Sequence, residues 1–105
     1  IKIFEKTKPV GLKDFSPILS RFGGEEFSVI LSGVKKEDAC LAAQALCKKI
    51  ENARISLRSQ ETGVTVSIGV AAFPRDASDA DELVLKADRA LYEAKKQGRN
   101  RAIAA

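Results

Sequence analysis

Ile18-Leu19-Ser20-Arg21-Phe22-Gly23-Gly24-Glu25-Glu26-Phe27-Ser28-Val29-Ile30-Leu31 is the stretch whose reading decides the fold. Two short runs rich in β-branched and aromatic residues, Ile18 to Phe22 and Phe27 to Leu31, flank a Gly-Gly pair and two glutamates. Gly-Gly supplies the positive φ angles that tight primed turns demand. The spacing therefore predicts an antiparallel hairpin turning at Gly23-Gly24, with Phe27, Val29 and Leu31 sharing one face. The same turn has a chemical reading. Two glycines leave backbone N–H groups uncovered and let a phosphate or base approach closely, and adjacent carboxylates are hard oxygen ligands for magnesium. A plain hairpin whose glutamates only solubilise its tip uses the same residues. On this segment alone both readings stay open, and the plain hairpin is the commoner.

Downstream of the hairpin, Ala39, Ala42, Ala43, Leu46, Cys47 and Ile50 recur at three- and four-residue steps, which predicts a helix over 35–52 with a stripe rich in small residues. Ile55 and Leu57 alternate briefly before Gly63. Val64, Val66, Ile68 and Val70 then alternate with Thr65, Ser67, Gly69 and Ala71, giving a strand with one bulky and one small face. Ser67 and Gly69 are expected to serve close packing. Ser78 or Asp79 can cap a second helix with Asp81 or Glu82 closing a capping box, Ala80 to Ala94 carry its apolar stripe, and Gly98 ends it. Arg101 to Ala104 form a last short strand. The order implies an α+β domain with helices on one or both faces of a largely antiparallel sheet. Residues 1–15 follow no sustained period, although Ile1 and Ile3 alternate as a strand would, and they stay unassigned beside a domain over 16–105.

Composition narrows the chemistry. A length of 105 residues with 45% hydrophobic residues suits one core that needs no staples. Eighteen Lys and Arg stand against 14 Asp and Glu, a balance too weakly basic to suggest nucleic acid and mildly favourable to anionic ligands. No stretch approaches the roughly 20 apolar residues of a membrane span, so no direct membrane contact by this domain is expected. The absence of His excludes His-based zinc sites and Ser-His or Cys-His nucleophile pairs, so any catalysis runs on carboxylates, Lys, Arg and a metal. Cys40 and Cys47 lie seven residues apart, about 10 Å along a helix, which is too far for a disulfide and fits small core-facing residues in a reducing compartment. With no Met and Ile1 first, the chain is expected to be a piece of something longer.

A second cluster, Lys95, Lys96, Arg99 and Arg101 around Gly98, could hold triphosphate oxygens, with Lys95 as a point charge and Arg99 as a planar fork. A basic helix C-terminus complementing the dipole is the simpler use of such residues.

Taken together, RFGGEEF (21–27), VTVSIGVA (64–71) and ADRALYEAKKQGRN (87–100) resemble the GGDEF family, the catalytic domains of bacterial diguanylate cyclases, over about Ser16 to Ile103. The resemblance implies a fold like the ferredoxin-like palm of adenylyl cyclases. It also implies a reaction in which two domains, each holding GTP and magnesium or manganese, condense two GTP into cyclic di-GMP. In that picture Gly23 and Gly24 line the nucleotide, Glu25 binds metal and helps deprotonate the 3′-hydroxyl, Glu26 supports it from the same turn, and Lys95 and Arg99 stabilise phosphates. GTP, a second copy of the domain and a cytoplasmic setting within a larger bacterial protein come with it.

The chain departs from the family pattern at its start. Only 20 residues precede Arg21, and no DxD-like strand followed by Phe-Lys occurs among them. The expectation is a truncated domain in which Glu25 lacks an acidic partner, the guanine pocket lacks a wall, GTP binds weakly and no product forms. A non-catalytic interaction or dimerisation module derived from such a domain is the alternative. Asp14 and Pro17 stand where the Arg and Asp of an RxxD inhibitory motif would be, so product inhibition there is not expected. The shortened sheet should also leave an open side for residues 1–15, or a second chain, to cover.

Overall fold

The computed structural model describes residues 2–6 and 17–105. In chain order its elements are β1 (Lys2–Lys6), β2 (Ile18–Gly23), β3 (Glu26–Ser32), α1 (Lys36–Asn52), β4 (Ile55–Leu57), β5 (Gln60–Thr62), β6 (Ile68–Phe73), α2 (Ala80–Lys96) and β7 (Ala102–Ala104). Five strands form one sheet in the order β2-β3-β1-β6-β7, and β4 and β5 pair as a separate hairpin.

Packing is organised by β6, buried from Ile68 to Ala72. Its alternation sends bulky and small side chains to opposite faces. Ile68 and Val70, with Leu31 of β3, pack against Ala39, Ala43 and Cys47 of α1, so large residues on the sheet meet a small-residue stripe on the helix. Ala71 and Ile30 face the other way and meet Ala87, Leu83 and Val84 of α2. The two helices therefore cover opposite faces. Gly69 lets α2 approach closely: a Cβ there would lie 2.2 Å from the Ala87 carbonyl oxygen and 2.5 Å from the Leu91 nitrogen. Those are backbone atoms, which a rotamer change cannot move aside.

Strand direction follows the connections. The short turns give antiparallel pairs, β2 with β3 and β4 with β5. The helical crossovers bring β6 and β7 into parallel pairing, and β1 runs parallel to both β3 and β6. The expectation of a largely antiparallel sheet applies to the hairpins and not to the sheet's centre. The strand expected from Val64 begins at Ile68, where pairing among the described residues starts: Ile68 is in register with Ala102 and Gly69 with Lys2. Val64 is left half exposed.

The open side of the sheet is occupied from within the chain. Lys2–Lys6, in the segment whose period gave no assignment, lies between β3 and β6, pairing Lys2 with Ser28 on one side and with Gly69 on the other. Asp14 lies outside the described residues.

Helix ends match their sequence signals. Asp79 caps α2 by accepting the Glu82 N–H at 2.7 Å, and acids in the first turn and lysines in the last suit the dipole. Near the far end of β6, Lys36 Nζ donates to Asp76 Oδ1 at 2.7 Å and to the Ala105 carbonyl at 2.6 Å, while Asp76 Oδ2 accepts the Ala72 N–H. One half-buried ion pair thus joins the start of α1 to the ends of β6 and β7.

If the approach of α2 rests on Gly69, then Gly69→Ala destabilises the fold by roughly 1–3 kcal/mol or more through overpacking. Urea denaturation monitored by circular dichroism checks this, and an unchanged midpoint would mean that α2 does not sit on this glycine.

Candidate functional site

The Gly-Gly turn is set by a bulge. Arg21 pairs with Phe27 and Gly23 with Glu26, so Phe22 is an extra residue on β2. This carries the turn one residue beyond the expected place: Gly23 is still paired, and Gly24-Glu25 form the two-residue loop. Gly23 and Gly24 have φ of 115° and 55°, a region that favours glycine, and no atom lies within 4 Å of a Cβ built at either. The backbone of the turn is therefore open to a ligand. Arg21 holds it from behind, with Nε at 3.2 Å and Nη2 at 2.9 Å donating to the Gly24 carbonyl. That role for Arg21 was not evident in the sequence, because nothing in spacing alone shows an arginine folding back on the turn three residues on. Glu25 is exposed at the tip, and Glu26 is half-buried at the start of β3.

Lys95 and Arg99 come to the same end of the sheet. In register, Ser28 of β3 and Gly69 of β6 both pair with Lys2, and Gly69 pairs with Ile103. Two residues earlier in sequence, Glu26 opens β3 while Ser67 and Arg101 lie just ahead of β6 and β7, at about one level. From β3 to β7 is three strand spacings, or about 14 Å. The helix α2 starts beyond the far end of β6 and returns along it. Its 17 residues rise about 25 Å against the roughly 20 Å of β6, so its C-terminal turn passes the sheet's edge. Lys95, Lys96 and Arg99 are exposed there. The carbonyl end of a helix repels anions, so an anion at this edge depends on these side chains. The arrangement joins an uncovered backbone turn and two carboxylates to a group of cations along one edge.

A family model described as diguanylate cyclase, GGDEF domain, matches residues 11–101. The chain belongs to the GGDEF family. It is 40% identical over 82 residues to diguanylate cyclase A of Treponema denticola, covering 78% of this chain and 22% of that protein. It is likewise 40% identical over 82 residues to diguanylate cyclase DgcZ of Escherichia coli, covering 77% of this chain and 27% of that protein. The bifunctional diguanylate cyclase/cyclic di-GMP phosphodiesterase MucR of Pseudomonas aeruginosa is 37% identical over 82 residues. The chain thus spans about a quarter of the length of the first two relatives.

GGDEF cyclases are metal-dependent as a family. Among the described residues no group of three or more acids or cysteines converges to hold an ion. Magnesium, however, is commonly bound through one or two carboxylates together with substrate phosphates. Among the described residues, Glu25 and Glu26 are carboxylates of the number and kind that such a shared site uses. No helix among the described residues is long and apolar enough to cross a membrane.

The cysteines take no part in this edge. Both are free, Cys47 buried and Cys40 half-buried, and burial pushes both thiols above their usual range. Cys47 Sγ donates to the Val66 carbonyl at 3.6 Å.

Because Arg21 spans the loop, Arg21→Ala should loosen it. Amide exchange at residues 23–26 is expected to accelerate, with a loss of about 0.5–1.5 kcal/mol in hairpin stability. Unchanged exchange would show that the Gly24 carbonyl contact does not order the turn.

Proposed function

We propose that this chain is the triphosphate-contacting part of a diguanylate cyclase domain, whose reaction joins two GTP into cyclic di-GMP across a pair of domains. The observation that carries the reading is the convergence of the Gly24-Glu25 loop and the C-terminal turn of α2 on one edge of the sheet. Gly23 and Gly24 line the nucleotide, Lys95 and Arg99 neutralise and orient the phosphates, and Glu25, supported by Glu26, holds the metal side and assists removal of the 3′-hydroxyl proton. Magnesium or manganese supplies charge neutralisation and alignment when bound. Phosphoryl transfer needs little else, so the lack of histidine is no obstacle.

On its own the chain is proposed to bind GTP weakly and to make no product. The strand beside β3 carries one acid, Glu5, in register with Leu31. Leu31 is five residues along β3 from Glu26, about 16 Å at strand rise. No second carboxylate on β1 thus stands at the level of the Gly24-Glu25 loop. A second reading, in which the chain serves association of domains, is favoured by the edge strand β2, where Ile18 and Leu19 are 55% and 67% exposed.

Incubation of the 105-residue chain with GTP and magnesium or manganese, followed by chromatography, should give no cyclic di-GMP above a Glu25→Ala control. Product above that control would mean that a residue outside the described set supplies the missing ligand, with Asp14 the first to test. Calorimetry with cyclic di-GMP should likewise show no tight site at the hairpin, since Asp14 and Pro17 cannot make the bidentate contacts of an RxxD pair. A micromolar site abolished by Asp14→Ala would refute this.

A further inference from the structure

The loop that carries Arg99 is held in an unusual way. The end of α2 follows a Schellman pattern: Gly98 N–H donates to the Lys95 carbonyl at 3.4 Å and Arg99 N–H to the Ala94 carbonyl at 2.9 Å. That motif needs one left-handed residue, which Gly98 provides with φ of 122°. Yet Arg99 and Asn100 continue in the left-handed region, at φ of 64° and 49°. Asparagine enters that region more readily than other non-glycine residues, so it is the left-handed Arg99 that calls for a cause.

The side chain of Asn100 does not impose it through its oxygen: Oδ1 is fully shielded, and among the described residues no donor reaches it. Arg101 does make such a tie. Its Nε donates to the Arg99 carbonyl at 3.0 Å. Its guanidinium lies across Gly98, where an added Cβ would come within 3.0 Å of Nη2. The backbone of Arg101 is fixed in turn, since its carbonyl accepts the Ile68 N–H at 2.9 Å. A continuous path therefore runs from buried β6 through Arg101 to the peptide of Arg99.

We propose that Arg101 is a positioning residue: anchored to β6 through its backbone, it holds the left-handed Arg99 peptide with its guanidinium and so aims Arg99 at the triphosphate of a bound nucleotide. The proposal rests on the functional reading above for the nucleotide. The fork geometry matters, because lysine keeps the charge but cannot bond the carbonyl through a planar Nε while covering Gly98. Arg101 thus acts through Arg99 and not as another phosphate contact.

The test uses the full chain with Arg101→Lys, Arg99→Ala and the double variant, magnesium with GTP or GMP as the calorimetric ligand, and amide exchange without nucleotide. Arg101→Lys is expected to speed exchange at the Arg99 amide. It should weaken GTP binding roughly three- to tenfold, the scale of one such hydrogen bond, leave GMP binding unchanged, and cause no further loss once Arg99 is alanine. Unchanged exchange would overturn the positioning role, as would a GTP loss that adds in full to that of Arg99→Ala. If the wild-type chain binds no GTP, the nucleotide reading fails, and amide exchange still decides whether Arg101 orders the loop.

Discussion

The close seat of α2 on Gly69 is the constraint from which the rest follows. With no side chain at that position, the helix backbone comes within a distance that any Cβ would occupy. This fixes the path of α2 over β6 and hence the place where its last turn leaves the sheet. The other face of β6 does the opposite, offering Ile68 and Val70 to the small stripe of α1. One strand thus sets two helix distances by alternating large and small residues, and the overall packing remains dense because each face is matched to its helix.

Charge placement follows from that geometry. The ion pair of Lys36 with Asp76 belongs to the far end of β6, where it is half-buried and also tied to backbone. The near end carries Glu25, Lys95, Lys96 and Arg99, all exposed. The partly buried pair, tied to backbone on both sides, serves architecture, whereas the charges at the near end are exposed to solvent. An exposed ion pair contributes little to stability, so keeping such charges solvated at that edge sacrifices almost nothing of the fold.

Much of this was legible in the sequence because it depends on local rules. The hairpin, both helices, the Asp79 cap, the Gly98 stop and the bulky and small faces of β6 follow from periodicity and turn chemistry within short windows. The exact turn was less legible: Gly23-Gly24 marks it, but the bulge at Phe22 depends on pairing with β3 and shifts the loop to Gly24-Glu25. The central place of Lys2–Lys6 was hidden because a five-residue strand is defined by its neighbours more than by its own pattern. Parallel pairing was hidden for the same reason, being a property of crossovers. At the site, residue types left Gly23, Gly24, Glu25, Glu26, Lys95 and Arg99 open to a plain structural use, and it was the family resemblance that singled them out, while the contacts of Arg21 and Arg101 arise from side chains that fold back on local carbonyls.

The central claim is that the Gly24-Glu25 loop and the end of α2 form one ligand-binding edge. Nuclear magnetic resonance titration of the isotope-labelled chain with magnesium GTP tests it most directly. The account predicts that amides at 23–26 and at 95–100 shift together along one saturation curve, while those around Lys36 and Asp76 stay still. Shifts confined to one of the two segments, or centred on the Lys36 and Asp76 end of the sheet, would contradict it.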